Sequence, residues 1–271
     1  TDVWNRIICA HDVDTNLPEV GITADIIVDI LQFSKNRISN FDVFAKPGWN
    51  ENTYGSDIDV FVETNTGQFR WFALQAKILK KNNRYDTLRD SSDGIMQWDK
   101  LKLLEACSGC KSFYLLYNGK ANLRYEENKY DICKQAFQED QFGCSLVEPT
   151  VIEKLAQRRA INGYFINPTF EDIHPLQAQP WRILTCCYHN TSNYTLYSVE
   201  QIIESNPKLK KLRFDIGSVE VNNEESDDDM IKTDNNDIPV VEANPINKAM
   251  LESKWNPPLR IIVRRTDSLS K

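Results

Sequence analysis

Long hydrophobic runs are missing from this sequence of 271 residues. No stretch approaches the roughly 20 consecutive apolar residues that a membrane-spanning helix needs. The first residues also lack the basic and then apolar pattern of a secretory leader. There is no P-loop and no G-x-G-x-x-G motif, and the three histidines have no metal-binding spacing. We therefore expect a cytoplasmic protein with no membrane partner, and nothing supports nucleotide hydrolysis or dinucleotide binding.

A complete zinc motif and an excess of positive charge are also missing. Cys107 and Cys110 form half of a zinc-ribbon motif, but no second pair with that spacing follows, so we do not expect zinc. The net charge of −7 argues against unselective coating of nucleic acid. Segment 220–237 alone carries −7, from eight acidic residues and one lysine, and its composition predicts a flexible acidic loop. The remainder is close to neutral, so a local basic surface beside a site stays compatible with the composition.

Residues 55–81 carry the strongest pattern in the chain, which predicts two β-strands joined by a tight turn. Apolar residues alternate with others along 58–63, as expected for a strand whose two faces differ. Residues 64–67 contain Asn and Gly, which accept the positive φ that tight turns require. The run 69–79 is almost continuously apolar, which is typical of a central strand covered on both faces.

Four polar residues stand out on these two strands. Asp57 and Asp59 lie at the mouth of the first strand, and we expect Gln75 and Lys77 to lie across from them on the second. Either aspartate, together with the Gln75 amide oxygen, could hold Mg²⁺ or Mn²⁺, because these hard cations prefer oxygen ligands. Such an ion lowers the pKa of water and stabilises charge on a scissile phosphate. Lys77 would orient the attacking water or neutralise the phosphorus centre.

This order of groups resembles the PD-(D/E)XK, or restriction-endonuclease-like, nuclease superfamily. Members carry an acidic residue at the start of one strand and a (D/E/Q)-x-K motif on the next. Gln75-Ala76-Lys77 is similar to the glutamine variant of that motif in Mrr-like enzymes. The resemblance implies a metal-dependent nuclease with an α/β fold.

The same resemblance extends to the first core helix. The phrase E-x-x-I-T beginning at Glu19, with Gly-Ser before Asp57, is similar to an uncharacterised bacterial branch that has alanine in place of Ser56. By this resemblance Glu19 joins the metal cluster, although the helix dipole favours a first-turn glutamate in any case. Asp57 fits that branch and Asp59 fits the commoner pattern of the superfamily, so both stay candidate ligands.

The elements around the motif complete a restriction-endonuclease-like αβββαβ core within residues 1–120. Residues 121–271 are expected to form a mixed α/β C-terminal elaboration that packs on this core. Outside the 55–81 hairpin we predict a short helix or arm at 1–13 and a helix that starts within 15–19 and runs to about 33. Further helices are predicted at 94–107, 132–137, 149–160 and 198–204, and strands at 38–44, 111–117 and 258–264. The strand 111–117 should pair beside the Gln75 strand. The strand 258–264 has charges among its apolar residues, which predicts a sheet edge.

Four further residues are candidates for contact with substrate. Lys80 and Lys81 begin a polar loop, 80–93, that could cover the site. Gln97 and Lys100 lie on the more polar flank of the helix 94–107, which borders the cleft in the superfamily. The alternative for these two is a solvated helix face.

The function that the sequence favours is Mg²⁺- or Mn²⁺-dependent endonucleolytic hydrolysis of DNA. Bacterial relatives indicate restriction or phage defence, by analogy only. The alternative is a catalytically inactive nuclease-like module that binds DNA or protein, because glutamine removes one negative charge from the metal cage. RNA stays open as a substrate. A homodimer is plausible, since two sites are usually needed to cut both strands of a duplex.

Overall fold

The two strands predicted within residues 55–81 lie in the middle of a seven-stranded sheet in a computed structural model of the chain. The structure describes residues 2–35, 41–47, 56–64, 66–92, 94–123, 138–186, 195–198, 201–202 and 259–265. Helices accompany both faces of the sheet, so the predicted α/β fold class is confirmed.

The helices are α1 (Val3–Asp12), α2 (Glu19–Lys35), α3 (Gln97–Ser108), α4 (Pro149–Ala156), α5 (Phe170–Ile173) and α6 (Ile183–Cys186), with a 3₁₀ helix at Glu139–Gly143. The strands are β1 (Phe41–Pro47), β2 (Ile58–Glu63), β3 (Phe69–Ile78), β4 (Ser91–Ser92), β5 (Ile95–Met96), β6 (Lys111–Tyr117), β7 (Cys144–Val147), β8 (Gln179–Pro180) and β9 (Leu259–Arg265). The sheet order is β1-β9-β2-β3-β6-β7-β8, and β4 and β5 form a separate two-stranded ribbon.

The predicted hairpin is present. Strands β2 and β3 pair antiparallel from Ile58 opposite Leu74 to Glu63 opposite Phe69. Gly67 closes the turn with a φ of 74°, a conformation that glycine adopts without steric cost. The hairpin therefore follows from local sequence: alternating residues, then a turn that accepts positive φ.

The alternation along the hairpin separates two hydrophobic clusters. Ile58 and Val60 of β2 belong to a cluster with Ile22 and Ile26 of α2. A second cluster contains residues of α3, α4 and β6. Every residue of β3 is buried, as predicted for a strand covered on both faces. The sheet is thus enclosed between α2 on one side and α3 with α4 on the other.

Strand β6 pairs parallel with β3, which confirms the predicted neighbour of the Gln75 strand. Gln75 is in register with Tyr114, and Lys77 is in register with Leu116. Because the strands are parallel, their carboxyl ends meet at the same edge of the sheet, where α/β proteins commonly bind ligands.

The predicted edge position of the last strand is wrong. Strand β9 lies inside the sheet, antiparallel to β1 and parallel to β2. Ile261 and Val263 are buried in the same cluster as Ile58, and this burial outweighs the charged residues that suggested an edge. The sheet therefore combines strands from both sides of residue 120.

Along the chain, α2, β1, β2, β3, α3 and β6 follow each other in the predicted helix and strand order, with the ribbon inserted before α3. The helix predicted at 149–160 is shorter and ends at Ala156. The predicted helix 132–137, most of the helix 198–204 and the acidic segment 220–237 lie outside the described residues. In the described part of the chain, the structure contains no helix whose length and apolar character would let it cross a membrane.

Candidate functional site

Asp57 is held against the edge of β3, one position before β2 begins. Its backbone N–H donates to the Leu74 carbonyl at 2.8 Å. Its carboxylate Oδ2 accepts hydrogen bonds from the backbone N–H of Ala76 at 2.8 Å and from the Gln75 side-chain amide. The side chain of Asp57 thus continues the antiparallel ladder beyond Ile58, and the carboxylate lies directly beside the Q-x-K motif.

Gln75 and Lys77 are both buried, on the face of β3 opposite to the cluster that contains Ala76. The side chain of Lys77 is 6% exposed, and its Nζ lies 3.2 Å from Oδ2 of Asp90. Asp90 comes from the segment after β3 and is 48% exposed. A buried ammonium of this kind requires such a partner, and Asp90 supplies it from the solvent side.

Glu19, the first residue of α2, lies near the charges of Asp57, Lys77 and Asp90. Burial raises the pKa of Glu19 to about 7; the nearby charges of Lys77 and Lys80 lower it, and those of Asp57 and Asp90 raise it. The carboxylate therefore lies within electrostatic reach of all four charges. The structure brings together Glu19, Asp57, Gln75 and Lys77, four of the five residues predicted for the site.

Asp59, the fifth, is in a different environment. It is 0% exposed and accepts a hydrogen bond from Nε1 of Trp71 at 2.8 Å. Burial raises the pKa of Cys110 and of Tyr197, and the Asp59 charge adds to both shifts. Asp59 belongs to the regular strand and follows its alternation, whereas Asp57 precedes the strand and bonds to the neighbouring backbone. The structure thus separates two aspartates that the sequence left equivalent.

The four residues predicted to contact substrate lie in different surroundings. Lys80 lies close enough to Glu19 to lower its pKa, whereas Lys81 forms an ion pair with Asp14.

The backbone N–H of Gln97 donates to the Asp90 carbonyl at 3.1 Å, so α3 begins beside the site. Lys100 is only 6% exposed. The alternative of a solvated helix face is therefore wrong for Lys100.

The sequence reasoning missed Asp90 and Tyr114. Asp90 lies in a polar loop without periodicity, so no local signal identifies it. Tyr114 could have been found by pairing the predicted strand 111–117 with the Gln75 strand. In the described part of the chain, the buried Tyr114 hydroxyl and Oε1 of Gln97 have no hydrogen-bond partner. Burial raises the pKa of Tyr114, and the charges of Asp90 and Asp57 raise it further, so this unpaired hydroxyl faces the same group of charges.

Comparison with known proteins identifies the family of this chain. A family model described as a family of unknown function, DUF6615, matches residues 1–268. The chain belongs to the DUF6615 family. No curated protein and no solved structure matches this DUF6615 chain.

The oxygen-bearing groups of the DUF6615 site suit a hard cation. Among the described residues, no group of three or more His, Cys, Asp and Glu side chains is arranged to hold a metal. Glu19 and Asp57 do supply two carboxylates. Burial raises the pKa of Glu19 to about 7 and the Asp57 charge adds to this shift, and a nearby cation would favour the ionised form. Rotation of the Gln75 amide exchanges its nitrogen for its oxygen, giving a third oxygen. A cation that keeps several waters, as Mg²⁺ does, fits this set.

Proposed function

We propose that this DUF6615 protein is a metal-dependent endonuclease that hydrolyses phosphodiester bonds of DNA. One observation carries the proposal. The Asp57 carboxylate bonds to the Gln75–Ala76 edge of β3, with the buried ammonium of Lys77 and the half-buried carboxylate of Glu19 beside it. These are the groups that the resemblance to the PD-(D/E)XK superfamily requires in one place.

Asp57, Glu19 and the Gln75 amide oxygen would hold Mg²⁺ or Mn²⁺. When bound, the ion stabilises negative charge on the scissile phosphate and lowers the pKa of a water molecule. Asp57 is the aspartate that we assign to this role, because its carboxylate bonds to the Gln75–Ala76 edge of β3, whereas the buried Asp59 accepts from the Trp71 ring. Glu19 loses its proton more readily when a positive charge is near, so it responds directly to the ion.

Lys77 supplies the fixed positive charge of the site. Its Nζ is shielded from water, so its attraction for a phosphate oxygen is screened less than that of a surface lysine. In the structure this ammonium contacts Asp90. A phosphate that enters the site competes with the half-exposed Asp90 for Lys77, and the ammonium then neutralises charge that develops on phosphorus.

The resemblance to restriction-endonuclease-like enzymes supports restriction or phage defence in the cytoplasm as the setting. It also supports a homodimer, because one site of this kind cuts one strand at a time. DNA is the substrate that the resemblance favours.

Incubation of supercoiled plasmid DNA with Mg²⁺ or Mn²⁺ tests the proposal. We expect the wild type to nick the plasmid and Lys77→Met to lose this activity. Lys154→Met is the matched control, since Lys154 is exposed on α4 and removing it changes the net charge equally. Equal nicking by the wild type and Lys77→Met would overturn the role of Lys77, and no nicking with either ion would overturn the function.

A second candidate function is a nuclease-like module that binds without cutting. The Gln75 amide donates to Asp57, so both groups are satisfied by each other, and glutamine carries no charge to attract a cation. Calorimetry with Mn²⁺ separates the two candidates: the enzyme binds the ion, and the inactive module gives no binding heat.

A further inference from the structure

Residues 158–166 form a short hairpin that follows α4. The N–H of Ile166 donates to the Arg158 carbonyl at 2.9 Å, and the N–H of Ala160 donates to the Tyr164 carbonyl at 2.8 Å. Gly163, with a φ of 82°, allows the chain to reverse. The tip is therefore held by backbone hydrogen bonds, and its side chains have defined positions.

Large apolar side chains at this tip face solvent. Ile161 is fully exposed, Tyr164 is 74% exposed and Phe165 is 41% exposed. Single exposed apolar residues are ordinary, whereas a contiguous group on a protrusion marks a contact surface. An exposed aromatic ring also offers a flat face on which another planar group can stack.

Guanidinium groups surround the aromatic tip. The Cζ atoms of Arg159 and Arg89 lie 4.0 and 4.3 Å from the centroid of the Phe165 ring. Arg159 donates to the Gly163 carbonyl at 3.0 Å, and Arg84 donates to the Asn167 carbonyl at 2.7 Å.

These arginines contact neutral groups. Within the described ranges, no carboxylate forms an ion pair with Arg84, Arg89 or Arg159, whereas the neighbouring Arg158 is paired with Asp172. The two positive charges on the Phe165 ring repel each other, and an anion beside them would relieve that repulsion. The tip thus combines a local positive charge with the exposed ring of Tyr164, although the whole chain is acidic.

The hairpin is attached to the loop that borders the candidate site. The N–H of Tyr85 donates to the carbonyl of Pro168, two residues after the hairpin, at 3.0 Å, which joins this part of the chain to the segment after β3. Arg89 directly precedes Asp90, the partner of Lys77. A ligand bound to the hairpin therefore lies along the same loop that supplies a charge to the site.

We propose that the tip of the hairpin 158–166, together with Arg89, binds an unpaired segment of nucleic acid. A base stacks on Tyr164, and Arg89 and Arg159, which lie over the Phe165 ring, contact the phosphates. The partner is single-stranded because ring faces can stack only on bases that are out of a duplex. The proposal rests on the nuclease function, since the bound strand is the substrate held beside the site.

Binding is measured without cleavage by fluorescence anisotropy in EDTA. The probe is fluorescein-labelled single-stranded DNA of about 20 nucleotides, longer than one binding site of this kind, and the same sequence as a duplex is the comparison. We expect the single strand to bind more tightly. Tyr164→Ala should weaken its binding by roughly five- to hundredfold, since one stacked base contributes that much. Tyr164→Trp should retain binding because it keeps a ring face.

The charge contribution has its own readout. Arg159→Gln should reduce the slope of log K against log salt concentration by about 0.7, the value for one phosphate contact on a single strand. Leu176→Ala and Lys154→Gln are controls, because Leu176 is 80% exposed outside the hairpin and Lys154 is exposed on α4. Both should bind the single strand as the wild type does.

Three results would overturn this proposal: unchanged binding by Tyr164→Ala, a wild type that prefers the duplex, or no binding to the single strand. The last result would leave the apolar tip to a protein partner. The outcomes also separate this inference from the nuclease proposal. Lys77→Met should cut nothing, and its binding of the single strand should still fall when Tyr164 is also replaced by alanine. Strand binding that depends on Tyr164 in a wild type that cuts no DNA would support the surface and refute the nuclease.

Discussion

The carboxylate of Asp57 accepts a hydrogen bond from the backbone N–H of Ala76 at 2.8 Å. This bond places an acidic group against the strand that presents Gln75 and Lys77, on the far side of a hairpin turn. The sheet itself therefore sets the geometry of the candidate site. Any change at Asp57 acts on the strand pairing as well as on the chemistry, and substitutions there must separate the two effects.

Asp57→Asn and Asp57→Ala make that separation. Asparagine keeps an oxygen that can accept from Ala76 but carries no charge, whereas alanine leaves a buried N–H without its acceptor. We expect Asp57→Ala to lower the free energy of unfolding by about 1–3 kcal/mol and Asp57→Asn to lower it less. Both should lose metal-dependent nicking. Urea denaturation and the plasmid assay measure the two quantities, and an active Asp57→Asn would contradict the assignment of the ligand.

Lys77→Met should abolish nicking without loss of stability. The substitution removes a buried ammonium and its desolvation cost, and Asp90 is 48% exposed, so its carboxylate regains water. Removing one partner of an ion pair is strongly destabilising when the remaining charge is buried, and the half-exposed Asp90 carboxylate is not such a charge. We expect an unchanged or higher urea midpoint. A midpoint well below that of the wild type would show that the Lys77–Asp90 pair stabilises the fold.

Glu19 makes stability depend on pH. Burial raises its pKa from 4.5 to about 7 in the folded protein, so between these values the folded state binds the proton more tightly than the unfolded state. Stability therefore falls as pH rises through this window. Glu19→Gln should be more stable than the wild type at pH 8, by up to about 3 kcal/mol, and should lose this advantage below pH 4.5. Urea titrations at the two pH values measure it, and equal differences at both would contradict the shift.

A bound cation should offset the free-energy cost of ionising the buried Glu19 carboxyl group. Mn²⁺ is expected to raise the melting temperature of the wild type through mass action, more strongly at pH 8 than at pH 6, because the carboxylate must lose its proton to bind. Glu19→Gln should lose this pH dependence, and Asp57→Asn should lose most of the shift. Thermal melts with and without Mn²⁺ give both comparisons; a shift that is the same at both pH values in the wild type would argue against Glu19 as a ligand.

His174 should make the fold sensitive to acid. Its Nε2 lies 2.7 Å from the Ser145 hydroxyl in a buried network with Asn118. Burial lowers the pKa of His174 from 6.5 to about 3. The unfolded chain therefore binds the proton more tightly between these values, and stability falls as pH drops from 6.5 towards 3.

The loss attributable to His174 is on the order of 4 kcal/mol. His174→Gln should be less stable than the wild type at neutral pH, because the network loses partners, yet its stability should change less with acid. Urea titrations from pH 7 to pH 4 compare the two slopes. Parallel curves would show that His174 is not the group that titrates.

Local sequence determined the β2–β3 hairpin, its two faces and the presence of Glu19, Gln75 and Lys77. Alternation and turn residues act between neighbours in the chain, so the hydrogen bonds that they specify need no distant information. The parallel partner β6 was also predictable, because an apolar strand next along the chain tends to pair beside the previous one.

Three features depended on tertiary structure alone: the place of β9 in the sheet, the difference between the two aspartates, and the pairing of Asp90 with Lys77. The place of β9 between β1 and β2 depends on burying Ile261 and Val263 against residues far away in the sequence. The difference between Asp57 and Asp59 depends on which neighbour offers a donor, the backbone of Ala76 or the ring of Trp71. Asp90 reaches Lys77 only after the loop has folded. Residues adjacent in the chain determine local hydrogen-bond patterns, whereas burial and charge pairing arise only when distant segments pack together.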